Sequence, residues 1–271
     1  MPLLEANNLS ISFGGLRAVS DFSLKLDRGQ LHGLIGPNGA GKTTVFNLLT
    51  GVYRPDAGDI RLDGRSLIGL RPYQIARAGL ARTFQNIRLF ADLSVLDNVR
   101  IACHLRVRHG LVATLLRHPL HLREERALTD RALELLHLLH LSDFQEERAG
   151  SLPYGDQRRL EIARALATEP RVLLLDEPAA GMNPAEKVAL RALIRRILGQ
   201  FDLSILLIEH DMGVVMDICQ HITVLDFGQT IAAGSPAQVQ QDPAVIEAYL
   251  GTSAHSVDEA IDHDRRNGDP T

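Results

Sequence analysis

Gly36-Pro37-Asn38-Gly39-Ala40-Gly41-Lys42-Thr43-Thr44 fits the spacing G-x-x-x-x-G-K-[ST] and follows an apolar run, Leu31 to Ile35. Glycines let the backbone curl with no Cβ in the way, so that successive N–H groups point inward as a nest for an anion. A helix opening near Gly41 adds the positive end of its dipole, roughly half an elementary charge, at the same spot. Lys42 is long enough to reach the β- and γ-phosphates of a nucleoside triphosphate such as ATP, and the Thr43 hydroxyl is placed to ligate Mg2+. Of the 29 lysines and arginines only Lys25, Lys42 and Lys187 are lysines, and one of them occupies the phosphate position.

Two carboxylates, Asp176 and Glu177, close a second apolar run, Val172 to Leu175. The carboxyl end of such a strand is where open α/β sheets bind ligands. One carboxylate there can hold Mg2+ through water while its neighbour orients and deprotonates an attacking water. Glu209-His210-Asp211 ends the next apolar run, Ser204 to Ile208, in the same way. His210 can hydrogen-bond a γ-phosphate or serve as a structural strand-end histidine, and the residues alone leave both open.

The elements that must position these groups are legible in outline. At 271 residues and 45% hydrophobic content the chain can hold one large α/β domain, alone or with a smaller attached subdomain. Short apolar runs at Leu9 to Phe13 and Phe22 to Leu26, separated by Gly14-Gly15 and followed by Asp27-Arg28-Gly29, predict antiparallel strands before the phosphate strand. A short strand is predicted over Asp59 to Leu62. From about Asn86 to Leu166 the pattern turns helical, with Leu128, Ala132, Leu135, Leu136 and Leu139 on one face of a helix over Leu122 to Leu141. The α/β pattern then resumes, with a helix over Pro184 to Leu198, strands near Ile222 to Leu225 and Thr230 to Ala232, and helical turns from Pro236 to Leu250. Residues 251–271 are polar and acidic and are expected to form a disordered tail.

A net charge of −4 gives no general attraction to nucleic acid or to an anionic membrane surface. Cys103 and Cys219 stand far apart without C-x-x-C spacing, which fits a reducing cytosol better than a disulfide framework or zinc site. No apolar run approaches the roughly 18 residues of a membrane span, so membrane attachment is expected through a partner.

The phosphate loop, Thr83-Phe84-Gln85, Leu152-Pro153-Tyr154-Gly155-Asp156-Gln157, Leu173 to Pro178, Ala180-Gly181-Met182-Asn183 and Ile208-Glu209-His210-Asp211 stand in the order and spacing of ABC-transporter ATPases. The resemblance covers residues 4 to 250 and is strongest to the ATP-binding subunits of branched-chain amino acid importers. It implies an α/β fold: a P-loop NTPase core with an N-terminal antiparallel β subdomain and an inserted α-helical subdomain, the domain spanning 1–250 and the insertion about 86–166.

By the same resemblance Phe13 is the aromatic that stacks on adenine, a contact of roughly 1–3 kcal/mol at other base-stacking sites. Gln85 contacts Mg2+ and the attacking water from a loop that faces the membrane subunits. Glu177 is the general base, His210 the γ-phosphate switch, and Thr43, Gln85 and Asp176 surround the metal. Tyr154, Gly155 and Asp156 belong to the signature that closes over ATP held by an opposite subunit, where the family consensus reads Leu-Ser-Gly-Gly-Gln. Pro153 removes a hydroxyl and a backbone donor, Tyr154 replaces a glycine, and Asp156 brings an acid toward phosphate; each lost charge-assisted hydrogen bond weakens closure by roughly 1.5–3 kcal/mol. Asn183 stands where an aspartate is usual.

Arg100, Arg106, Arg108, Arg117 and Arg123, with His104, His109, His118 and His121 among apolar residues, read either as a solvated face or as a docking surface for a membrane subunit's cytoplasmic helix. His118/His121 and His137/His140 have i, i+3 spacing but lack the acidic or Cys partners of a metal site.

Together these readings imply an ATPase peripheral to the cytoplasmic face of the membrane. It would power import of branched-chain or other hydrophobic amino acids through transmembrane permease subunits, indirectly served by a substrate-binding protein. A second ATPase subunit would complete an ATP-sandwich dimer, and no nucleic acid would be involved. The alternatives are the ATPase of a lipid-exporting ABC system and a soluble ABC ATPase acting on DNA or ribosomes. The latter would need a long coiled-coil insertion or a second cassette, and neither is present in this sequence.

Overall fold

Apolar runs that show no alternation belong in strands buried on both faces, and three of them become central strands of one sheet, each of the three buried at every residue. The computed structural model describes residues 1–106 and 119–249. Its strands are β1 Leu4–Phe13, β2 Leu16–Leu26, β3 Leu31–Ile35, β4 Ala57–Leu62, β5 Arg65–Ser66, β6 Leu80–Arg82, β7 Val172–Asp176, β8 Ser204–Ile208, β9 His221–Asp226 and β10 Gln229–Gly234. Helices occupy Lys42–Leu49, Pro72–Ala78, Val95–Cys103, Pro119–Leu138, Tyr154–Ala167, Pro184–Gln200, Met212–Ile218, Pro236–Gln240 and 243–249.

One sheet is antiparallel, in the order β2-β1-β4-β5; the other has the order β10-β9-β3-β8-β7-β6, with β10 alone antiparallel to its neighbour. The two-residue period of β7 divides the interior in two. Leu173 and Leu175 join Ile35, Ile205 and Leu207 against the helices Val95–Cys103, Tyr154–Ala167 and Pro184–Gln200. Val172 and Leu174 join Leu34, Leu206 and Ile208 against Phe46 and the antiparallel sheet. Burying a Leu or Ile contributes about 1.5–3 kcal/mol, so these two clusters fix where β3, β7 and β8 end.

Several local expectations need correction. β6 and the helix Pro72–Ala78 escape sequence reading because three and seven residues are too short to display a period. Residues 86–94 carry no helix; the helical pattern begins after Ser94, whose hydroxyl accepts from Asp97 N at 3.0 Å as an N-cap. The helix Tyr154–Ala167, the signature helix, opens inside the signature segment, at Tyr154. Arg108, His109, Arg117 and His118 of the basic stretch, and the tail 251–271, lie outside the described residues.

Candidate active site

β3, β8, β7 and β6 run parallel in adjoining positions, so the segments that leave their carboxyl ends meet along one edge of the sheet. That register brings the phosphate loop after Ile35, the 209–211 segment after Ile208, Glu177 after Asp176, and Thr83 to Gln85 after Arg82 to the same place. Asp176 pairs with Ile208, which in turn is level with Leu34 of β3.

In the phosphate loop two glycines are required by space as well as by conformation. A Cβ on Gly36 (φ 149°) would lie 1.9 Å from the Leu225 carbonyl oxygen, and one on Gly41 (φ 102°) 2.8 Å from that of Ala18. Gly39 (φ 80°) has open space around it and is needed for its backbone angle alone. The helix Lys42–Leu49 then starts with Gly41 as N-cap, without a side-chain cap and without an acid in its first turn. By contrast, Ser94, Asn183, Asp211 and Ser235 all cap their helices through side chains. The first-turn N–H groups after Gly41 are therefore not taken by a side-chain cap, an arrangement that suits a phosphate. Lys42 is buried, and its ammonium donates to the Gly36 and Pro37 carbonyls at 2.7 and 2.8 Å. Burial lowers its pKa below the ordinary lysine value, while the nearby Glu177 and Asp176 carboxylates oppose that shift.

Gln85, Glu177 and His210 come together. Gln85 Nε2 donates to Glu177 Oε2 at 2.9 Å, and His210 Nδ1 lies 3.8 Å from the same oxygen. Glu177 holds a left-handed backbone (φ 46°), unusual for a side chain of its size, and its N–H donates to Ile208 O at 2.9 Å. The local conformation turns its carboxylate out of the strand direction and towards the loop that carries Gln85. Asp176 faces differently: its Oδ2 accepts from Arg82 Nη2 at 2.7 Å, with both side chains buried. Thr83 Oγ1 receives the Asp176 N–H at 3.3 Å.

Phe13 sits at the end of the β1–β2 hairpin, half exposed, with its ring edge-on to Tyr53 at 5.1 Å between centroids. Tyr154 is likewise half exposed, at the start of the signature helix, and Gly155 follows it. Asp156 is engaged on its own helix, accepting from Arg159 Nη1 at 3.0 Å, so its charge is partly neutralised. Pro153, the N-cap residue, gives this helix start no side-chain cap. Asn183 keeps the capping function an aspartate would have: its Oδ1 accepts from Glu186 N at 3.0 Å and Glu186 Oε2 accepts from Asn183 N at 2.9 Å.

Four buried ionisable residues around the site were not singled out by sequence reading. Arg82 spans from Asp176 to Asn47, donating to Asn47 Oδ1 at 2.7 Å, with its guanidinium 5.4 and 5.2 Å from the centres of the Phe46 and Phe84 rings. Glu209 is completely buried; its Oε1 accepts from Ala179 N at 2.7 Å, and burial raises its carboxyl pKa. Arg158 and Glu161 are buried on the signature helix. The usable signal was an ionisable residue inside an apolar pattern, as in Leu80-Ala81-Arg82 and Leu160-Glu161-Ile162, which must find a partner when it is buried.

Beside the Gln85 loop a groove of about 900 Å³ opens, lined by apolar side chains including Tyr73, Leu80, Phe84, Phe90 and Ile101, with Arg88 and Arg164 among them. Tyr73, Phe90 and Ile101 remain substantially exposed. Arg100, which sequence reading left open between a solvated face and a docking surface, is tied to Asp97 and Glu125 at 3.1 and 3.3 Å, and the apolar groove lies beside it.

The sequence matches the ABC transporter family over residues 19–180 and the branched-chain amino acid ATP-binding cassette transporter family over residues 229–255. It is 48% identical over 250 residues to the high-affinity branched-chain amino acid transport ATP-binding protein BraF of Pseudomonas aeruginosa, covering 92% of this chain and 98% of BraF. The corresponding LivG protein of Escherichia coli K12 is also 48% identical over 250 residues, with 92% and 98% covered. A crystal structure of the ADP conformation of an ABC-transporter ATP-binding cassette superposes with a TM-score of 0.80 at 29% identity, covering 93% of this chain and 99% of that one. With an uncapped phosphate helix, the carboxylates at the strand edge and these likenesses in agreement, the chain belongs to the ABC transporter family as an ATP-binding, ATP-hydrolysing subunit.

Proposed function

We propose that this chain powers import of branched-chain or other hydrophobic amino acids, hydrolysing ATP at the cytoplasmic face of the membrane while bound to permease subunits that a substrate-binding protein serves. The observation that carries the ATPase reading is the meeting of Gln85, Glu177 and His210 within 3.8 Å at the strand edge that also carries the phosphate loop. The transported class is supported by the names of BraF and LivG and by the carboxyl-terminal family match, which favour import over a lipid-exporting system or a soluble ATPase.

In this reading the uncapped first turn after Gly41 and the Lys42 ammonium bind the phosphates, Phe13 takes the adenine, and Glu177 accepts a proton from the attacking water. Gln85, already hydrogen-bonded to Glu177, orients that water, and His210 donates to the γ-phosphate. Thr43, Gln85 and Asp176 would hold Mg2+, whose chemistry is to neutralise charge on the phosphate oxygens. Thr43 and Asp176 fit that role as a hydroxyl in the helix's first turn and a carboxylate at the end of β7, which β8 separates from the phosphate strand β3. Tyr154, Gly155 and the helix they open would close over the nucleotide of a second ATPase subunit, with Asp156 restrained by Arg159.

The groove beside Phe84 and Ile101 is the surface for a permease's cytoplasmic helix, because it combines exposed apolar side chains with a direct wall on the Gln85 loop. The test is coexpression of the chain with the membrane proteins that copurify with it, followed by ATP-driven uptake of labelled leucine into proteoliposomes. Uptake that requires this chain supports the reading; ATP-dependent lipid extraction in its place removes it. Ile101→Asp should lower recovery of the chain with those membrane proteins by about tenfold, the effect of about 1.4 kcal/mol of lost binding.

A further inference from the structure

The segment that carries Gln85 leaves β6 as irregular backbone, and its polar groups must be satisfied by something other than a sheet. Thr83 N still donates to Leu174 O of β7, and the groups that follow, Phe84 N, Phe84 O and Gln85 O, are satisfied by two side chains of the signature helix. Phe84 N donates to Glu161 Oε1 at 3.0 Å, while Phe84 O accepts from Arg158 Nη1 at 2.5 Å. The second guanidinium nitrogen, Arg158 Nη2, donates to Gln85 O and also to Tyr154 Oη, the latter at 3.0 Å. Arg158 Nη1 closes the circuit on Glu161 Oε2 at 3.1 Å, and both side chains are nearly inaccessible, at 2% and 6% exposure.

The circuit reaches one loop further. The Arg158 guanidinium lies 5.4 Å from the centre of the Tyr154 ring, and a Cβ on Gly181 would be 3.4 Å from that ring's Cε1. One guanidinium thus links the Gln85 backbone to the first residue of the signature helix, whose ring rests on the 177–183 loop. Stability does not account for such a pair, since a buried ion pair is often replaceable by apolar groups at no loss. Its planar fork, however, holds two successive carbonyls at fixed spacing, which neither an apolar side chain nor a lysine can do.

We propose that Arg158 and Glu161 are positioning residues that keep the Gln85 loop in register with the signature segment, an inference that rests on the reading of Gln85 given above. Movement of the signature helix then moves Gln85 relative to Glu177, so that opening or closing at Tyr154 is felt at the attacking water. Tyr154 has a purpose in this scheme that a glycine could not serve, because its hydroxyl is the third member of the Arg158 circuit.

The test compares Glu161→Ala, Glu161→Gln, Arg158→Lys and Gln85→Ala with the unaltered chain, each assembled with its permease subunits. Three quantities are measured: kcat, the KM for ATP and the Mg2+ concentration for half-maximal hydrolysis. Glu161→Ala is expected to lower kcat about tenfold or more and to raise the Mg2+ half-saturation about threefold, with the KM for ATP within about twofold. Glu161→Gln keeps an acceptor for Phe84 N–H and should recover most of both losses. Arg158→Lys loses the fork and should shift the same two quantities in the same direction, which decides the matter if Glu161→Ala does not fold. A role in packing alone would reduce the amount of folded protein without moving the Mg2+ requirement of the active fraction. If Gln85→Ala leaves kcat and Mg2+ half-saturation unchanged, the reading of Gln85 fails. If Gln85→Ala shifts them and the Arg158 and Glu161 variants do not, the positioning role is overturned while that reading stands.

Discussion

Gln85 and Glu177, 92 residues apart in sequence, share a hydrogen bond of 2.9 Å from the Gln85 amide to the Glu177 carboxylate. The bond joins the loop beside the apolar groove to the carboxylate at the strand edge. A permease helix that displaces the loop would therefore alter the orientation of Glu177 without touching it.

If Glu177 removes the proton from water, Glu177→Gln should bind ATP with nearly unchanged affinity while hydrolysis falls by about 10²–10⁴-fold, the usual contribution of a general base. The same variant should persist as an ATP-bound dimer, detectable by size-exclusion chromatography in the presence and absence of Mg-ATP. Turnover within about threefold of the unaltered chain would remove Glu177 from that role.

Arg82 is buried against Asp176, with side-chain exposures of 6% and 2%. Arg82→Ala leaves that carboxylate without its partner, a change that costs about 3–5 kcal/mol when a buried pair is broken from one side. Urea denaturation should show the loss, together with a higher Mg2+ requirement for hydrolysis. An unchanged unfolding midpoint would mean that Asp176 finds another cation or water in the variant.

Gly36 and Gly39 differ in a way that mutation can separate. Gly36→Ala drives a Cβ to 1.9 Å from Leu225 O and should destabilise the chain by about 1–3 kcal/mol or more, as overpacking does, while abolishing ATP binding. Gly39→Ala meets no atom within 4 Å and bears only the strain of a left-handed residue, about 1–2 kcal/mol. Thermal melts with and without ATP distinguish the two: the Gly39 variant should retain part of its ATP-induced rise in Tm, the Gly36 variant none.

His32 provides a pH dependence of defined sign. Burial, reinforced by His221 at 4.8 Å between ring centroids, holds its imidazole down at about 3 against an ordinary 6.5. Below pH 6.5 the unfolded chain takes up a proton that the folded chain refuses until about pH 3, so acid favours unfolding. This contribution is complete above pH 6.5 and is lost as the pH falls, by roughly 1 kcal/mol per pH unit. Urea midpoints at pH 7, 6 and 5 should decline for the unaltered chain and more shallowly for His32→Gln. Parallel declines would assign the acid sensitivity to other groups.

Much of the site was legible in the sequence because its chemistry depends on short, contiguous patterns. The glycine spacing around Lys42, the apolar runs ending at Asp176 and Ile208, and the order of the family motifs carry their own local reasons: backbone freedom, continuous burial and helix starts. Asp156 was legible as an acid near the signature, but its pairing with Arg159 was not, since an i, i+3 partner is one of several a solvated carboxylate can take. The three-residue strand Leu80–Arg82 was invisible for want of length, and it is the strand that delivers Gln85 to the site.

The sequence by itself thus determined the nucleotide chemistry, the α/β class and the family, because each rests on residues close together in the chain. Only the tertiary structure decided which groups act on one another around the sheet edge: Arg82 on Asp176, Glu209 on the Ala179 amide, and Arg158 with Glu161 on the Phe84 backbone. Those partners lie 30 to 94 positions apart; the parallel register of β8, β7 and β6 brings the first two pairs together, and the packing of the helix Tyr154–Ala167 against β6 brings the third. A periodicity reports which face of an element is buried; it carries no information about which buried charge on one element meets which carbonyl on another.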